Sequence, residues 1–322
     1  MTAQFDPITA LDRVTASVLM RLTPEHAEIQ QAQRRSKEPL EAHPGPFAME
    51  PDFVVVTGKR LRYARGGTEG KPIVLLLSPL PQSILCFDQI WPFMVDRFEL
   101  VALDLPGFGR SEGGAEVMTA EAQSEILDAF VRQMDLSDFH LVGPDVGTPV
   151  ALHYAIHREH RARSLLVGDG PCVTPSVNGS IIDRAVNSRF WRTLFRFGGA
   201  GSFVEGANRL AYVNYTPSRD EVADYVASYR GRIGAVMEWF RAYPQIIASI
   251  EPHLAKIDLP VQIFWGELDQ LLLVKTAHSL HERLKRSRLE IFENCGHFSY
   301  QDKPEDFAAM IADWVETGYT QA

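Results

Sequence analysis

The sequence predicts an α/β fold: a mostly parallel central sheet flanked by helices, with an inserted helical cap. Two observations carry this. Short, continuously apolar runs ("PIVLLLSP", "FELVALDLP", "FHLVGPD", "RSLLVGDGP") alternate with longer helix-period segments, as they do where strands are buried on both faces of a sheet. The alternation stops after Pro171, gives way to helical sequence rich in aromatics and arginines up to about Pro244, and resumes with "PVQIFWGELD". The organisation that follows is an N-terminal helical extension over 1–52, a core over 53–170 and 245–322, and a helical cap over 171–244.

In the extension, "ITALDRVTASVLMRL" places Ile8, Leu11, Val14, Val18 and Leu22 near helical spacing, which predicts a helix that packs on the main domain or a partner. "EAHPGPFAMEP" then breaks regular structure with prolines and glycine. "FVVVTG" and "RLRYARGG" read as a hairpin. "TAEAQSEILDAFVRQMD" reads as a helix capped by Thr119, and "GTPVALHYAIHREH" as a second helix following Asp145. The cap reads as "IIDRAVNSRFWRTLFRF", "SFVEGANRLAYVNY" and "SRDEVADYVASYRGRIGAVMEWFRAY". Strand and helix patterns return in "LLVKTAHSLHERLK", "RLEIFENCGH" and "PEDFAAMIADWVETG".

The 322 residues are 45% hydrophobic and 23% charged, enough apolar content for a sizeable core. A net charge of −9 argues against nucleic-acid and anionic-membrane partners, both of which need a basic field. Cys86, Cys172 and Cys295 are too few and too scattered for a disulfide framework or a zinc site. No apolar run nears the length of a membrane span, and "MTAQFDPITALDR" lacks a charged-then-apolar leader pattern. These features lead to the expectation of a soluble, cytoplasmic protein, monomeric or homodimeric.

Chemistry concentrates at "LVGPDVGTPVAL". A buried strand turns sharply into a helix at Asp145, and Gly143 and Gly147 permit close packing of helix on strand. Such a turn lifts one side chain above the carboxyl ends of the strands, where open α/β sheets bind ligands. As an isolated residue, Asp145 also reads as a helix N-cap. Two later features favour a site: "FWGELDQLL" offers Asp269 at a strand end, and "IFENCGHFSYQDKPEDF" offers His297 at the last one. Glu267 and Asp169 are alternatives to Asp269 as the acid.

The order nucleophile, acid, histidine, together with "DLPGFGRS" (Asp104 to Ser111), "GPDVG", "WGELD" and "GHF", resembles the α/β-hydrolase superfamily from Phe53 onward. An aspartate at the elbow resembles the branch holding epoxide hydrolases, haloalkane dehalogenases and fluoroacetate dehalogenases. A carboxylate is ionised near neutral pH and attacks without a base. Attack on an acyl group would give an anhydride, whereas attack on a saturated carbon bearing a strained C–O bond or a halide gives an ordinary ester. The resemblance therefore implies Asp145 as nucleophile, His297 as the base that activates water, Asp269 as the group orienting His297, and the N–H groups of Leu80 and Val146 as oxyanion donors.

Several residues depart from the branch. The oxyanion loop, commonly His-Gly-x-Pro, is here Ser78-Pro79-Leu80-Pro81, and either X-Pro bond could be cis. The tryptophan and asparagine that hold a leaving halide are matched by Val146 and Leu80, which counts against an ordinary haloalkane dehalogenase. The two cap tyrosines of epoxide hydrolases are matched by Phe240 and by Phe190 or Trp191, leaving Tyr212, Tyr215, Tyr225, Tyr229 and Tyr243 as a possible shifted pair. The residues read as pocket walls are Trp191, Tyr212, Tyr215, Trp239 and Phe240. Arg184, Arg189, Arg192 and Arg196 read either as a solvated face or as an attraction for anions.

"RGGTEGKP" and "PGFGRSEGG" fail the phosphate-loop and dinucleotide spacings, and His153, His157 and His160 lack an acidic third ligand, so no cofactor and no metal are expected. The expectation is a cofactor-independent hydrolase acting on a small, largely apolar organic substrate through a covalent alkyl-enzyme ester. An epoxide comes first and a carbon–halogen bond second; a non-hydrolytic lyase or cyclase and a silent binding protein are the rivals.

Overall fold

The computed structural model describes residues 6–21, 23, 25–36, 39–42, 45–159, 161–174 and 181–322. Eight strands form one sheet: β1 (Pro51–Val56), β2 (Lys59–Gly67), β3 (Ile73–Leu77), β4 (Glu99–Leu103), β5 (Phe139–Pro144), β6 (Ala162–Gly168), β7 (Val261–Gly266) and β8 (Ser287–Phe292). Their spatial order is β8-β7-β6-β5-β3-β4-β2-β1. All neighbours are parallel except β1–β2 and β2–β4. The β1–β2 hairpin turns through Thr57 (φ 48) and Gly58 (φ 78), the paired positive φ that suits the twist of a two-residue loop. The central strands β3, β4, β5 and β6 are almost wholly buried, in keeping with their continuous apolar sequence.

The α-helices longer than four residues, among the described residues, are α1 (Ala10–Met20), α2 (Glu25–Arg35), α3 (Ala120–Gln133), α4 (Gly147–His157), α5 (Ile181–Asn187), α6 (Arg189–Ala211), α7 (Arg219–Tyr229), α8 (Ile233–Ile250), α9 (Lys275–Arg283) and α10 (Pro304–Glu316). Thr119 caps α3 by accepting from the Ala122 N–H at 3.2 Å. Helices α5 to α8 lie between β6 and β7. The boundary expected at 244/245 falls inside a helix, because α8 continues through Pro244 to Ile250. Buried Trp239, Phe240, Tyr243, Ile246 and Ile250 hold α8 in place, so packing overrides the proline.

The motif "DLPGFGRS" ties this helical layer to the sheet. Buried Asp104 accepts from the N–H groups of Ile84 (2.7 Å) and Arg110 (2.8 Å), and burial raises its carboxyl to about 6. Gly109 has to be glycine, since a Cβ there would meet the Asp104 carboxyl carbon at 2.1 Å. Arg62 and Arg110 then both pair with Asp224 of α7, each at 2.9 Å.

Of the apolar face read from the sequence, Ile8 is buried just ahead of α1, but the helix itself buries a different face. Ala16, Leu19 and Met20 are buried, while Leu11, Val14 and Val18 are 74%, 60% and 55% exposed. Leu22 lies outside the described residues. The close approach to α6 selects the face. A Cβ at Gly201 would stand 2.4 Å from the Asp12 carboxyl carbon, and one at Gly198 would stand 3.7 Å from the Thr15 methyl. Asp12 also closes a capping box with Thr9, accepting from its N–H at 2.9 Å.

Candidate active site

Asp145 stands between β5 and α4 with φ 49, a left-handed conformation that aspartate tolerates better than most residues. The glycines around it allow the sharp turn. A Cβ at Gly143 would meet the Gly147 carbonyl oxygen at 2.5 Å, and one at Gly170 would meet the Asp145 carbonyl oxygen at 2.2 Å. Thr148 fastens the turn by donating to the carbonyls of Gly143 (2.7 Å) and Gly168 (2.8 Å).

Three side chains from three strand ends meet here. His297 Nδ1 lies 2.8 Å from Asp269 Oδ2, and its Nε2 lies 3.6 Å from Asp145 Oδ1. Asp269 Oδ1 also accepts from the N–H groups of Leu271 (2.8 Å) and Leu272 (3.0 Å), which fixes the carboxylate before it meets the imidazole. His297 is held from the cap side as well, its own N–H donating to the Ala211 carbonyl at the end of α6 at 2.7 Å. Burial pulls the His297 value down, but the charges of Asp269 and Asp145 outweigh it and leave it well above the ordinary 6.5.

Both alternative acids have other partners. Asp169 accepts from the Gly266 N–H at 2.9 Å and from the Ser299 hydroxyl at 2.6 Å, and Glu267 accepts from the Asn294 N–H at 3.0 Å. Burial, and then the charge of Asp269, push Asp169 well above the carboxylate range.

The Leu80 N–H donates to Asp145 Oδ2 at 2.6 Å, despite the altered loop sequence. The peptide bond from Leu80 to Pro81 is cis. Val146 is buried directly after Asp145 at the start of α4.

A cavity opens over Asp145 and His297. Its floor is the core: Leu80, Pro81, Asp145, Leu271, Leu272 and His297. Its roof is apolar, with Ile181 and Ile182 from α5, Phe195 and Phe203 from α6, and Phe240 from α8. Leu19 and Met20 of α1 complete the roof, so the N-terminal extension is a wall of the site. The polar side chains facing this space, among the described residues, are Asp145, His297, Ser202 and Tyr243. The Ser202 hydroxyl donates to the Gly198 carbonyl within its own helix. Burial, then the nearby charge of Asp145, push the Tyr243 phenol well above its usual value, so it stays protonated and able to donate.

Of the five residues read as pocket walls, Phe240 lines the cavity and the other four do not. Tyr212 and Tyr215 are consumed by a buried polar network instead. The Tyr212 hydroxyl donates to Gln301 and accepts from Gln82, both at 2.6 Å, and Tyr215 donates to Glu221 at 2.8 Å. Trp239 is wholly buried edge-on against Phe108, and half-buried Trp191 stacks with Phe195 and carries the Arg184 guanidinium over its ring at 5.1 Å. Tyr225 and Tyr229 are also turned away, Tyr229 donating to the Gln82 carbonyl at 2.8 Å and Tyr225 facing Gln301. The sequence offered Tyr243 as one of five cap tyrosines for a shifted pair without choosing it, and did not single out Leu19 or Met20. The one available signal for Tyr243 was its spacing of three from Phe240 on a helix, which puts both on one face.

Among the described residues no three His, Cys, Asp or Glu side chains are grouped to hold a metal ion. His153 faces the Ser124 hydroxyl at 2.8 Å and His157 the Ser249 carbonyl at 3.0 Å; His160 lies outside the described residues.

A family model described as "alpha/beta hydrolase fold" matches residues 72–304. The chain belongs to the alpha/beta-hydrolase fold family. This hydrolase is 24% identical to the human protein named monoacylglycerol lipase ABHD6 over 263 residues, 78% of this chain and 77% of the relative. It is also 24% identical to an uncharacterized protein of Mycobacterium tuberculosis over 282 residues, 82% of this chain and 81% of the relative. Among solved structures, haloalkane dehalogenase DbeA of Bradyrhizobium elkani USDA94 matches with a TM-score of 0.73 at 20% identity, covering 85% of this chain and all of the other. At that identity the likeness is one of fold.

Proposed function

We propose that this α/β-hydrolase opens an epoxide ring on an apolar substrate, through an ester on Asp145. The observation that carries the reading is that Asp145 and Tyr243, whose buried phenol stays protonated, line one apolar cavity. Asp145 Oδ1 attacks a ring carbon, the ring C–O bond breaks, and the oxygen takes the Tyr243 proton. Oδ2, bonded to the Leu80 N–H, becomes the ester carbonyl and is polarised for the next step. Esterification removes the Asp145 charge, one of the pulls keeping a proton on His297, so the imidazolium releases that proton to solvent, to be regained when Asp145 is freed, and can act as base. Water loses a proton to His297 and adds to the Asp145 carboxyl carbon. The ester bond to the substrate breaks, His297 returns its proton to the departing alcohol, and the second water proton replaces the one Tyr243 gave. The net change is addition of one water to give a vicinal diol.

Carbon–halogen cleavage fits less well. Apart from His297, no side-chain N–H lines the described cavity to hold a departing halide. A serine-type ester hydrolysis lacks its nucleophile, since position 145 is aspartate.

The test is to incubate His297→Gln with epoxides and haloalkanes and to weigh the intact protein. An epoxide adduct on the peptide holding Asp145, with diol formed by the wild type, supports the reading. An active wild type whose His297→Gln form never gains an adduct sinks the ester mechanism, and halide release without diol sinks the substrate class.

A further inference from the structure

Helix α1 is apolar on two opposite faces. Leu19 and Met20 wall the cavity, while Leu11, Val14 and Val18 stand in solvent on the other side. The outward face of a surface helix is ordinarily polar, so this second stripe is out of pattern. Beside it, α6 exposes Phe190 (70%) and Phe197 (82%). Five of the seven large hydrophobic side chains exposed among the described residues therefore lie on α1 and α6. The two sets adjoin, because Thr15 of α1 rests against Gly198, the residue after Phe197. Single exposed apolar side chains need no explanation, but a cluster beside a cavity does.

The charge on this face is opposite in sign to the protein's net charge. From 183 to 205 the chain carries four arginines (Arg184, Arg189, Arg192 and Arg196) against two acids (Asp183 and Glu205, the latter paired with Arg209), within a protein of net charge −9. Arg192 donates to the Ala185 and Val186 carbonyls at 2.9 and 2.8 Å, while Arg189 and Arg196 are exposed.

We propose that the face formed by α1 and the first half of α6 docks onto an anionic lipid surface, placing the cavity where a bilayer-dissolved substrate can enter it. The nature of that cargo rests on the reading of the site above; the docking does not. A second copy of the chain suits the patch poorly, because a two-fold contact lays a patch on itself and would set these arginines against their own counterparts. Lipid phosphates meet them instead, while Phe190, Phe197 and the α1 stripe reach the acyl boundary. No described helix is long and apolar enough to cross a membrane, so the contact is with the surface. The net charge alone argued against such a partner, but screening over about 8 Å makes the local field decisive.

The test is flotation with vesicles of equal parts phosphatidylglycerol and phosphatidylcholine, against vesicles of phosphatidylcholine alone. The wild type should float with the anionic vesicles and not with the neutral ones. Phe190→Ser/Phe197→Ser and Arg189→Glu/Arg196→Glu should each lower the bound fraction about tenfold or more, with circular dichroism unchanged. The arginine pair lies on the surface and guards against a folding defect in the phenylalanine pair. A wild type that stays soluble beside anionic vesicles overturns the proposal, as does a dimer in sedimentation that Phe190→Ser/Phe197→Ser dissolves. Flotation needs no turnover, so its failure leaves the epoxide reading standing, and a floating but inactive protein sinks only that reading.

Discussion

The two walls of the cavity are built by different rules. On the core side, Asp145, Asp269 and His297 each leave a strand end, and each is fixed by backbone groups: the Leu80 N–H, the Leu271 and Leu272 N–H groups, and the Ala211 carbonyl. On the other side, side chains from α1, α5, α6 and α8 supply apolar surface and, with Ser202 turned back on its own helix, one hydroxyl, Tyr243. The core wall is over-determined, so a change there should stop the reaction. The roof is assembled from packing, so a change there should alter what is accepted and how well the ring oxygen is protonated.

The sharpest way to break the comparison is Asp145→Asn, which keeps a residue tolerant of left-handed φ but removes the proposed nucleophile. It should lower kcat on an epoxide by about 10⁴-fold or more, read by diol formation, with little change in Tm. Next comes Tyr243→Phe, where loss of the proton donor should slow ring opening on the order of 10²-fold or more while the fold stays intact. If Tyr243→Phe leaves ring opening untouched, the roof is purely a shape wall. Smaller again is Met20→Ala, which should raise KM for a bulky apolar epoxide about tenfold with kcat nearly unchanged. An equal fall in kcat would mean that α1 positions the chemistry as well as the substrate.

The smallest effect concerns the scaffold behind the core wall. Burial holds His140 of β5 and His153 of α4 down to about 4, against an ordinary 6.5. The unfolded chain binds more protons than the folded one between those values, so stability rises with pH through that window and is lost as pH falls. In urea unfolding, the loss of stability from pH 6.5 to 4 should be about 2 kcal/mol smaller in His140→Gln than in the wild type. His297 has the opposite sign. Its folded value is raised, so its contribution is complete below 6.5 and fades as pH climbs through the folded value.

The same division governs what could be read without coordinates. Asp145, Asp269 and His297 were legible because the buried strands announce themselves as continuous apolar runs, and the fold puts strand ends together in a fixed order. The roof was not. Tyr212 and Tyr215 look like any other cap tyrosines, and only the tertiary network of Gln82, Gln301 and Glu221 turns them away from the cavity. For α1 the periodicity identified the helix but chose the wrong face, since the glycines of α6 that receive it lie about 190 positions further along the chain. Sequence distance of that order carries no local signal.

The seat at Gly201 has an evolutionary consequence. One added methyl there would press on Asp12 and unseat the helix bearing Leu19 and Met20, far from Asp145 in the chain. Substrate range and reaction type thus sit on separately mutable stretches of the gene, and the first can drift while the second is kept.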